Sequence, residues 1–412
     1  MYIFYNIFIY LLIFGMKVFS FFNAKTKKGV EGRGQSVNLV KSAFSQSDKV
    51  IWMHVSSLGE YEQGLPVLEK LKVKFPAHKI LITFFSPSGY ENVVKKNNIA
   101  DAICYLPFDT RQKVKEFISC FNPELFFTVK YDYWYNLFQE LKNNNVKTFV
   151  ISALFYESQS FFASYGKWFV KQLQKNINWF FHQTQHSYLL ARSLGLQQSS
   201  VTGDTRFDRV KQIRNRDNHV GFIESFISNN KTVIFGSSWQ AEEKIAKLIS
   251  ENNKNIKIII APHDLKRVVA LKNIFPDAVL YSEFQNTQTL EQLDAQLLII
   301  DSIGLLSRLY SYADIAVVGG GFHDAGLHNI LEAATFGVPV VFGNRYKKNP
   351  EADDLIAANG GKSFEHENQT AEFILYLLND EGTLERMSAN AEDFIAKKPD
   401  SSELIVRKIM SF

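Results

Sequence analysis

Cysteine is scarce in this sequence, since only Cys104 and Cys120 occur in 412 residues. Two cysteines cannot form a disulfide framework or a cysteine-rich zinc site, and their scarcity fits a protein of a reducing compartment. An excess of one charge is also absent, because 46 basic residues oppose 42 acidic ones and leave a net charge of +4. So small an excess does not indicate nucleic acid as a partner.

Three short patterns that carry chemistry in many enzymes are missing as well. The sequence has no DxD pair to hold a divalent ion, no HExxH zinc pattern and no GxSxG turn for a serine nucleophile. We therefore expect neither a metal ion nor another cofactor. Composition excludes disorder, since 46% of the residues are hydrophobic and 14% are aromatic. A chain of this length can bury a sizeable core and predicts two domains.

The first 22 residues differ in composition from the rest. The run from Tyr2 to Phe22 carries one formal charge, Lys17, and lysines follow at positions 25, 27 and 28. The run approaches the length that spans a bilayer. Lysines after the run, rather than before it, argue against a cleaved signal peptide and predict that the remaining chain stays cytoplasmic. We expect residues 1–28 to be a membrane anchor that spans the bilayer or lies in its interface, the alternative being a buried hydrophobic helix.

The rest of the chain alternates short apolar runs with segments of helical periodicity, which predicts parallel βαβ units. The polar stretch RNRDNHVGF separates two such series. We therefore expect an α/β protein with two Rossmann-like, doubly wound domains, 29–212 and 213–412, that face a cleft, with the last helix able to pack back on the first domain. The predicted strands are VIWMHVS, KILITFF, LFFTV, VKTFVIS and WFFHQT, followed by TVIFGSS, KIIIAPH, LLIID, DIAVVGGG and VPVVFGN.

Loops after strands are the candidate functional sites, because ligands of such sheets bind at the carboxyl ends of the strands. In the loop HVSSLGEYEQG, Glu60 projects from the first turn of a predicted helix. Ser57 and Glu60 have the spacing of a capping box, which is a purely structural interpretation. The functional interpretation is a carboxylate that accepts a proton from a sugar hydroxyl. A helix N-terminus lowers the pKa of such a carboxylate, and burial raises it.

Two further loops carry small polar residues. In FFSPSGYEN, Ser86, Ser88 and Gly89 follow a strand, and a phosphate- or sugar-binding turn competes there with an ordinary Ser-Pro helix start. In FGSSWQAEE, Gly236, Ser237 and Ser238 would let backbone amides approach an anion at a helix N-terminus, although GSS also serves as an ordinary N-cap. Neither motif is specific by itself.

The most informative loop is VVGGGFHDAGLHNILEAATFGVPVVFG. Its glycines, Gly319, Gly320 and Gly321, permit positive φ and close approach of a ligand to the backbone. We expect a polar turn after them and then a helix that ends near Gly337. On that helix His328 and Glu332 are spaced i, i+4 and Asn329 and Glu332 i, i+3, so that these groups would share one side. A phosphate would suit the glycine loop and ribose hydroxyls would suit Glu332, whereas a solvated glycine-rich turn is the alternative.

Without a metal ion, phosphate charge would have to be neutralised by amides, a helix dipole and basic side chains. His263, Lys266 and Arg267 follow the strand KIIIAPH, and Lys347 and Lys348 come later. Each of these side chains, taken singly, is more typical of a solvated surface charge than of a binding residue.

Eight motifs follow one another between residues 30 and 365. In chain order they are HVSSLGE, FFSPSGYENV, YLPFD, WYN, VTGDTRFD, FGSSWQAEE, DSIGLLSRLYSYADIAVVGGGF and HNILEAATFGVPVVFG. In order and spacing they resemble the Kdo (3-deoxy-D-manno-octulosonic acid) transferases, which are GT-B glycosyltransferases. The SxGE turn and the GG…HN..E..A.G.PV block carry most of the likeness, and many GT-B enzymes share the second in outline.

The resemblance implies an inverting transfer of Kdo from CMP-Kdo to a glucosamine hydroxyl of a lipid A precursor, lipid IVA, for lipopolysaccharide. This would take place on the cytoplasmic side of the inner membrane. It implies that Glu60 is the general base. The residues that it implies for the acceptor are Ser56, Ser57, Gly59, Ser88 and Asp132. The residues that it implies for CMP are Ser237, His263, Arg267, Gly319, Gly320, Gly321, His328, Asn329 and Glu332.

The sequence departs from the family pattern at three places. Many members have METELWPN where this chain has VKYDYWYN, so Lys130 replaces a glutamate, while Asp132, Trp134 and Asn136 keep the pattern. Pro262 stands where PRHPER motifs have an arginine that would face phosphate, and Lys266 or Arg267 would have to substitute. A GRWGER-like segment is reduced to EGRGQ. Two alternatives stay open, a GT-B transferase for a UDP-sugar and a catalytically inactive nucleotide-binding relative.

Overall fold

A computed structural model describes residues 1–95, 99–286, 289–324, 326–347 and 349–412 of the chain. The chain divides into two compact units, one of Met1–Arg209 with Pro399–Phe412 and the other of Val210–Lys398. The sequence predicts a division between residues 212 and 213, whereas the structure divides the chain between Arg209 and Val210. Each unit is built around a parallel seven-stranded sheet, which confirms the predicted α/β class with two Rossmann-like units of GT-B type.

The first sheet has the strand order β3-β2-β1-β4-β5-β6-β7. Its strands are β1 Lys49–Val55, β2 Lys79–Phe84, β3 Ala102–Tyr105, β4 Asn122–Val129, β5 Lys147–Ala153, β6 Trp179–His182 and β7 Ser199–Val201. The helices up to the unit boundary are α1 Tyr2–Phe19, α2 Ala24–Ala43, α3 Leu58–Lys74, α4 Pro87–Val93, α5 Arg111–Ile118, α6 Tyr135–Asn143, α7 Lys167–Asn176, α8 Gln185–Ser193 and α9 Thr205–Asn215. The five strands predicted here are confirmed, whereas the short β3 and β7 are not among the predictions.

The second sheet has the order β10-β11-β9-β8-β12-β13-β14. Its strands are β8 Lys231–Ser238, β9 Ile256–Pro262, β10 Val279–Leu280, β11 Leu297–Ile299, β12 Ile315–Val318, β13 Val340–Gly343 and β14 Gly361–Phe364. Its helices are α10 Ile223–Ile227, α11 Gln240–Asn252, α12 Val268–Ile274, α13 Tyr281–Asn286, α14 Leu290–Asp294, α15 Leu306–Leu309, α16 Leu331–Ala334, α17 Pro350–Ala357, α18 Glu367–Asn379 and α19 Glu381–Ala396. The five strands predicted for this half are confirmed.

The strands of both sheets are buried on both faces, as expected for parallel sheets covered by helices. Apolar side chains therefore form a core on each face of each sheet. In β1, for example, every residue after Lys49 is buried. The last helix, α20 Ser401–Ile409, adds Ile405, Val406 and Ile409 to the core of the first unit. The chain therefore returns to the first unit after the second is complete.

Helix α1 is mostly exposed although it is strongly apolar. The stretch Tyr2–Ser20 is long and apolar enough to cross a membrane, with a mean hydropathy of 1.8, and only 11% of it is buried. The buried side chains Ile9 and Ile13 pack with Phe108 of the first unit. The lysines after α1 lie inside α2, and Asn23 caps that helix by accepting from the Thr26 amide at 2.9 Å.

Candidate functional site

The order of the first sheet reverses between β1 and β4, which leave in opposite directions from the middle of the sheet. Crevices that bind ligands form at such a reversal, outside the carboxyl ends of the two strands. The loop after β1 starts at Ser56 and leads into α3, whose first turn holds Glu60, and the loop after β4 starts at Lys130 and holds Asp132. The fold therefore brings together the predicted base and a predicted acceptor residue.

Glu60 is buried, with an exposed fraction of 8%. Its carboxylate oxygen Oε2 accepts a hydrogen bond from the Ser56 amide at 2.6 Å. Ser57 is the N-cap of α3, and its hydroxyl accepts from the Glu60 amide at 3.5 Å. In a full capping box the glutamate would accept from the amide of the N-cap residue itself. Only the serine half of the box is present here, and Glu60 binds the amide one residue earlier.

The pKa of Glu60 is raised above its ordinary value. Burial is the largest cause, and the negative charge of Asp132 adds to it. The Ser56 amide and the positive charges of Lys130 and His54 act in the opposite direction. Burial and Asp132 therefore outweigh these three groups, so that Glu60 is a stronger base than an exposed carboxylate.

Asp132 joins the two loops through its side chain. Its Oδ2 accepts from the Ser56 hydroxyl at 2.7 Å and lies 2.7 Å from His54 Nε2. The His54 ring is fully buried, and its Nδ1 lies 3.1 Å from the carbonyl oxygen of Thr83 and 2.9 Å from its hydroxyl. A carbonyl can only accept, so the contact with it requires a proton on Nδ1. Both ring nitrogens of His54 therefore face oxygen acceptors.

His54 is absent from the candidates that the sequence offers. A signal was nevertheless present, because a histidine occurs in the otherwise apolar strand VIWMHV, two residues before the predicted catalytic turn. A buried titratable group next to a functional loop is a candidate for a role at that site. Its partner Asp132 lies 78 positions away in the chain, which explains why the pattern alone does not show the pair.

The loop with Ser88 lies against the same turn. The Ser86 amide donates to the Ser56 carbonyl at 2.9 Å, and the Ser86 and Ser88 hydroxyls are 2.8 Å apart. A Cβ on Gly89 would come within 3.1 Å of the Leu58 amide nitrogen, so glycine permits this close approach of the two loops. Three neighbouring loops of one unit and the helix starts that follow two of them thus hold the predicted residues Ser56, Ser57, Gly59, Glu60, Ser88 and Asp132.

The second sheet reverses its order between β8 and β12. The predicted donor residues Ser237 and Gly319–Gly321 lie at the carboxyl ends of these strands. Ser237 belongs to β8 and has a positive φ of 51°. The GSS stretch therefore ends the strand, and the helix begins later than the motif suggests, at Gln240.

The three glycines are required by backbone packing. A Cβ on Gly319 would lie 2.0 Å from the Ser237 carbonyl oxygen, and one on Gly321 would lie 2.7 Å from the Gly343 nitrogen. Gly320 alone of the three has a positive φ, 91°. Its amide donates at 3.0 Å to Glu242, which is not among the residues predicted from the sequence. The glycines therefore let the ends of β8, β12 and β13 approach one another.

Glu242 connects the two loops at this reversal. It is fully buried, and its carboxylate accepts from the Trp239 amide at 2.9 Å as well as from Gly320. Burial, as the largest cause, raises its pKa. The sequence gives this residue no distinguishing pattern beyond its place in the first turn of α11.

Aromatic and imidazole rings gather beside these loops. Trp239 stacks on His263 with ring centroids 4.5 Å apart, and His263 lies 4.7 Å from His328. Burial, followed by the charges of His263 and His323, lowers the pKa of His328 to about 4. His328 is therefore neutral near pH 7. A cavity of about 790 Å³ adjoins the cluster and is lined by Trp239, His263 and Arg267, among others.

The helix expected after the glycine loop is shorter than predicted, because α16 begins at Leu331. His328 precedes it, so its predicted i, i+4 relation to Glu332 on a helix is wrong. The His328 amide donates to the Gly319 carbonyl at 3.0 Å and holds the residue in the turn. Asn329 and Glu332 do meet, since Asn329 Nδ2 donates to Glu332 Oε1 at 3.0 Å.

The predicted cation Arg267 forms an ion pair with Glu243. Its Nε donates to Glu243 Oε1 at 2.6 Å, its second nitrogen binds the other oxygen, and Glu243 is 1% exposed. The bond to Glu243 is the largest cause of the raised pKa of Arg267. Arg267 thus lines the cavity while it balances a buried carboxylate. Lys348 lies outside the described residues.

The first unit matches a protein-family model. The model described as 3-Deoxy-D-manno-octulosonic-acid transferase (kdotransferase) matches residues 31–209. A similar curated protein is the bifunctional glycosyltransferase/methyltransferase of Fusobacterium nucleatum, 26% identical over 364 residues. The match covers 84% of this chain but only 56% of that relative. The 3-deoxy-D-manno-octulosonic acid transferase of Aquifex aeolicus is 25% identical over 334 residues, covering 80% of this chain and 86% of the relative.

Some solved structures have a similar fold. The UDP-GlcNAc 2-epimerase from Neisseria meningitidis has a TM-score of 0.60 at 16% identity, with 88% of this chain and 100% of that chain covered. MurG from Acinetobacter baumannii has a TM-score of 0.56 at 13% identity and the same coverage, 88% and 100%. At these identities the likeness concerns the fold.

Proposed function

The chain belongs to the 3-deoxy-D-manno-octulosonic acid (Kdo) transferase family of glycosyltransferases, and from this premise we propose that it transfers Kdo from CMP-Kdo to a hydroxyl of a lipid A precursor, lipid IVA. The observation that carries the proposal is Glu60, a buried carboxylate of raised pKa at the reversal point of the first sheet. A base of this kind is what an acceptor hydroxyl needs in order to become a nucleophile.

The reaction is a single displacement with inversion. The acceptor oxygen forms a bond to the anomeric carbon of Kdo while the bond from that carbon to the phosphate oxygen of CMP breaks. The acceptor proton passes to Glu60, and CMP leaves with the bonding electron pair from the opposite face. Asp132, held by Ser56 and His54, supports the raised pKa of Glu60 through its negative charge. Ser56, Ser57, Gly59 and Ser88 surround the acceptor in this proposal.

The donor contacts lie in the second unit. Asn329 and Glu332 bind ribose, and the neutral His328 and the Trp239–His263 stack lie next to the base and phosphate. Ser237, Arg267 and the turn Gly319–Gly321 complete this set. Backbone amides and basic side chains balance the phosphate without a metal ion in this proposal.

The acceptor is a lipid, and α1 accounts for access to it. Tyr5 and Asn6 of this helix bind the first unit, and its remaining surface is largely apolar and exposed. A helix with one face bound to the protein suits the membrane interface better than a full crossing. We place the catalytic units on the cytoplasmic side of the inner membrane.

The test is an assay of the purified full-length protein with CMP-Kdo and tetraacylated lipid A precursor, followed by mass analysis of the lipid. We expect a product heavier than the acceptor by one or more Kdo residues. Parallel reactions contain UDP-sugars instead of CMP-Kdo. Product from a UDP-sugar alone, or no product from either donor while the protein binds CMP, would overturn the proposal.

A further inference from the structure

An aromatic pocket of about 590 Å³ lies in the first unit beside α1. Its wall includes Phe4 and Phe8 of α1, Tyr131 and Tyr133 of the loop after β4, and Phe161 and Trp168 further along the chain. Phe161 stacks on Phe169 with centroids 5.9 Å apart, and Tyr133 lies 5.8 Å from Phe161. The pocket therefore has a packed aromatic wall.

One end of the pocket adjoins the candidate catalytic loops. Tyr131 and Tyr133 line the pocket, while Asp132 between them binds the Ser56 hydroxyl in the loop that holds Glu60. Besides burial, the negative charges of Glu60 and Asp132 raise the pKa of Tyr131, which shows that this ring is near both. A molecule in the pocket would thus end close to the carboxylate that receives the acceptor proton.

The other end is continuous with the exposed apolar face of α1. Phe4 and Phe8 are 70% and 58% exposed and also line the pocket. The position of the helix is fixed, because the Tyr5 hydroxyl donates to the buried Asp109 at 2.5 Å and accepts from the Tyr135 amide at 3.0 Å. The same surface that would meet the membrane therefore forms one wall of the pocket.

The lining specifies the chemistry of the occupant. None of its residues carries a charged side chain, and aromatic rings predominate. Such a wall has no charged side chain to pair with a phosphate, and its predominantly apolar surface suits a hydrocarbon chain. Because acyl chains are already in an apolar environment in the bilayer, a protein pocket contributes position more than affinity.

We propose that this pocket receives one fatty acyl chain of the acceptor lipid and thereby places the sugar hydroxyl beside Glu60. The inference rests on the proposed function, since it assigns the acceptor of that reaction a second point of contact. The pocket then discriminates acylated acceptors from soluble sugar acceptors of the same head group.

The test introduces a large side chain into the pocket at an exposed position of its wall. Ser160 lines the pocket and is exposed, so Ser160→Trp adds a large side chain without removing a core contact. Ser158→Trp, two residues earlier and also exposed but outside the lining, is the matched control. Transfer is measured on tetraacylated lipid A precursor and on its fully deacylated, water-soluble form. We expect Ser160→Trp to lower kcat/KM at least tenfold on the acylated acceptor and to leave the deacylated acceptor unchanged, with Ser158→Trp unchanged on both.

A second measurement separates this inference from the proposed function. An acceptor lipid with a diazirine on an acyl chain is photolysed with the full-length protein in the absence of donor, and the labelled peptides are mapped. We expect labelling in 131–133 and 160–169, and its loss in Ser160→Trp. If Ser160→Trp lowers transfer equally for both acceptors, or for neither of them, the acyl site is overturned while the proposed activity stands. Labelling without any transfer would retain the site and overturn the proposed function.

Discussion

Glu60, the proposed general base, is subject to opposing influences, because burial raises its pKa while the Ser56 amide and nearby positive charges lower it. Burial and Asp132 prevail. We therefore expect Glu60→Gln to bind CMP normally and to lose transfer by at least about a hundredfold, since a positioned base contributes about 10² to 10⁴ in rate. The check is steady-state transfer together with thermal unfolding of the same variant.

The companion variant to Glu60→Gln is Ser57→Ala. Ser57 caps α3 through the Glu60 amide, so its loss should cost about 1 kcal/mol of stability, with activity largely kept provided that the Ser57 hydroxyl does not touch the acceptor. If Glu60→Gln keeps most of the rate and Glu60→Ala only destabilises the fold, Glu60 is a structural residue and the base lies elsewhere.

A substitution at Glu332 tests the proposed CMP-binding site. Its carboxylate accepts from Asn329, and the two groups together form the polar start of α16. Glu332→Ala should weaken CMP binding by about 1.5 to 3 kcal/mol if a charge-assisted hydrogen bond to ribose is lost. Calorimetry with and without magnesium measures this, and Glu372→Ala, an exposed glutamate of the same unit, is the control. An unchanged affinity, or binding that requires magnesium, would contradict the assignment.

We expect the unfolding free energy of the first unit to depend on pH through Asp109. It is almost fully buried, and burial raises its pKa from 3.8 to about 7 against the hydrogen bonds from Tyr5, Asn136 and Leu137. The folded state thus holds this proton more tightly than the unfolded state. The stabilisation is complete below pH 4 and is lost as the pH rises to 7, with a slope of up to about 1.4 kcal/mol per pH unit.

Asp109→Asn isolates this contribution, because asparagine resembles the protonated acid and does not titrate. We expect the difference in unfolding free energy between pH 5 and pH 8 to be smaller in the variant than in the parent, as measured by hydrogen exchange at β1 and β4. Parallel pH profiles for the two proteins would show that Asp109 does not carry the dependence.

At the scale of elements, the proposed membrane association of α1 offers the clearest test. Leu11 and Phe14 are 63% and 68% exposed on α1, away from the buried Ile9 and Ile13. Replacing both exposed residues with glutamate should sharply reduce partition into anionic vesicles without destabilising the first unit. Flotation measures the partition, and Leu290→Glu, at an 80% exposed position of the second unit, is the control. A chain that starts at Gly29 should lose binding as well, and complete binding by either variant would remove this role from α1.

The lysines after α1 should contribute less than their number suggests. An isolated lysine beside an anionic surface adds about 1 kcal/mol. Lys28, however, forms an ion pair with Glu91 at 2.8 Å, and Lys27 lies 3.8 Å from Glu31. The apolar face of α1 is therefore expected to dominate, so that salt should weaken the partition only modestly.

Elements with a strong local signal were predictable, and contacts between distant elements were not. The apolar runs of β1, β8 and β12 identify buried strands, and the turn before Glu60 follows from its Ser-Gly spacing. The pairing of His54 with Asp132 and of Glu242 with Gly320 joins loops that are 78 positions apart in each case. Such contacts depend on the strand order, which periodicity does not specify.

The same reason explains the error at His328. Helical spacing predicts that its side chain lies beside Glu332, but its amide binds the Gly319 carbonyl and keeps it in the turn. Backbone packing of the glycine loop therefore overrides the local helical pattern. The composition of that loop remains the basis of the predicted donor site, whereas the start of the helix is set by a tertiary contact.

For the whole molecule, the path of the chain makes its last helix part of the first unit. Ser401 and Ser402 donate their amides to Asp208, and Ile405 is fully buried in the core formed by β1, β2 and α3. Ile405→Ala should cost about 2 to 5 kcal/mol, as the loss of a buried aliphatic side chain usually does. Leu404→Ala, at a position that is 41% exposed, should cost little. Hydrogen exchange should accelerate for Ile405→Ala in β1, β2 and β4 and leave β8, β9 and β12 nearly unchanged. If β8, β9 and β12 respond instead, the last helix stabilises the unit that precedes it in sequence rather than the unit whose core it fills.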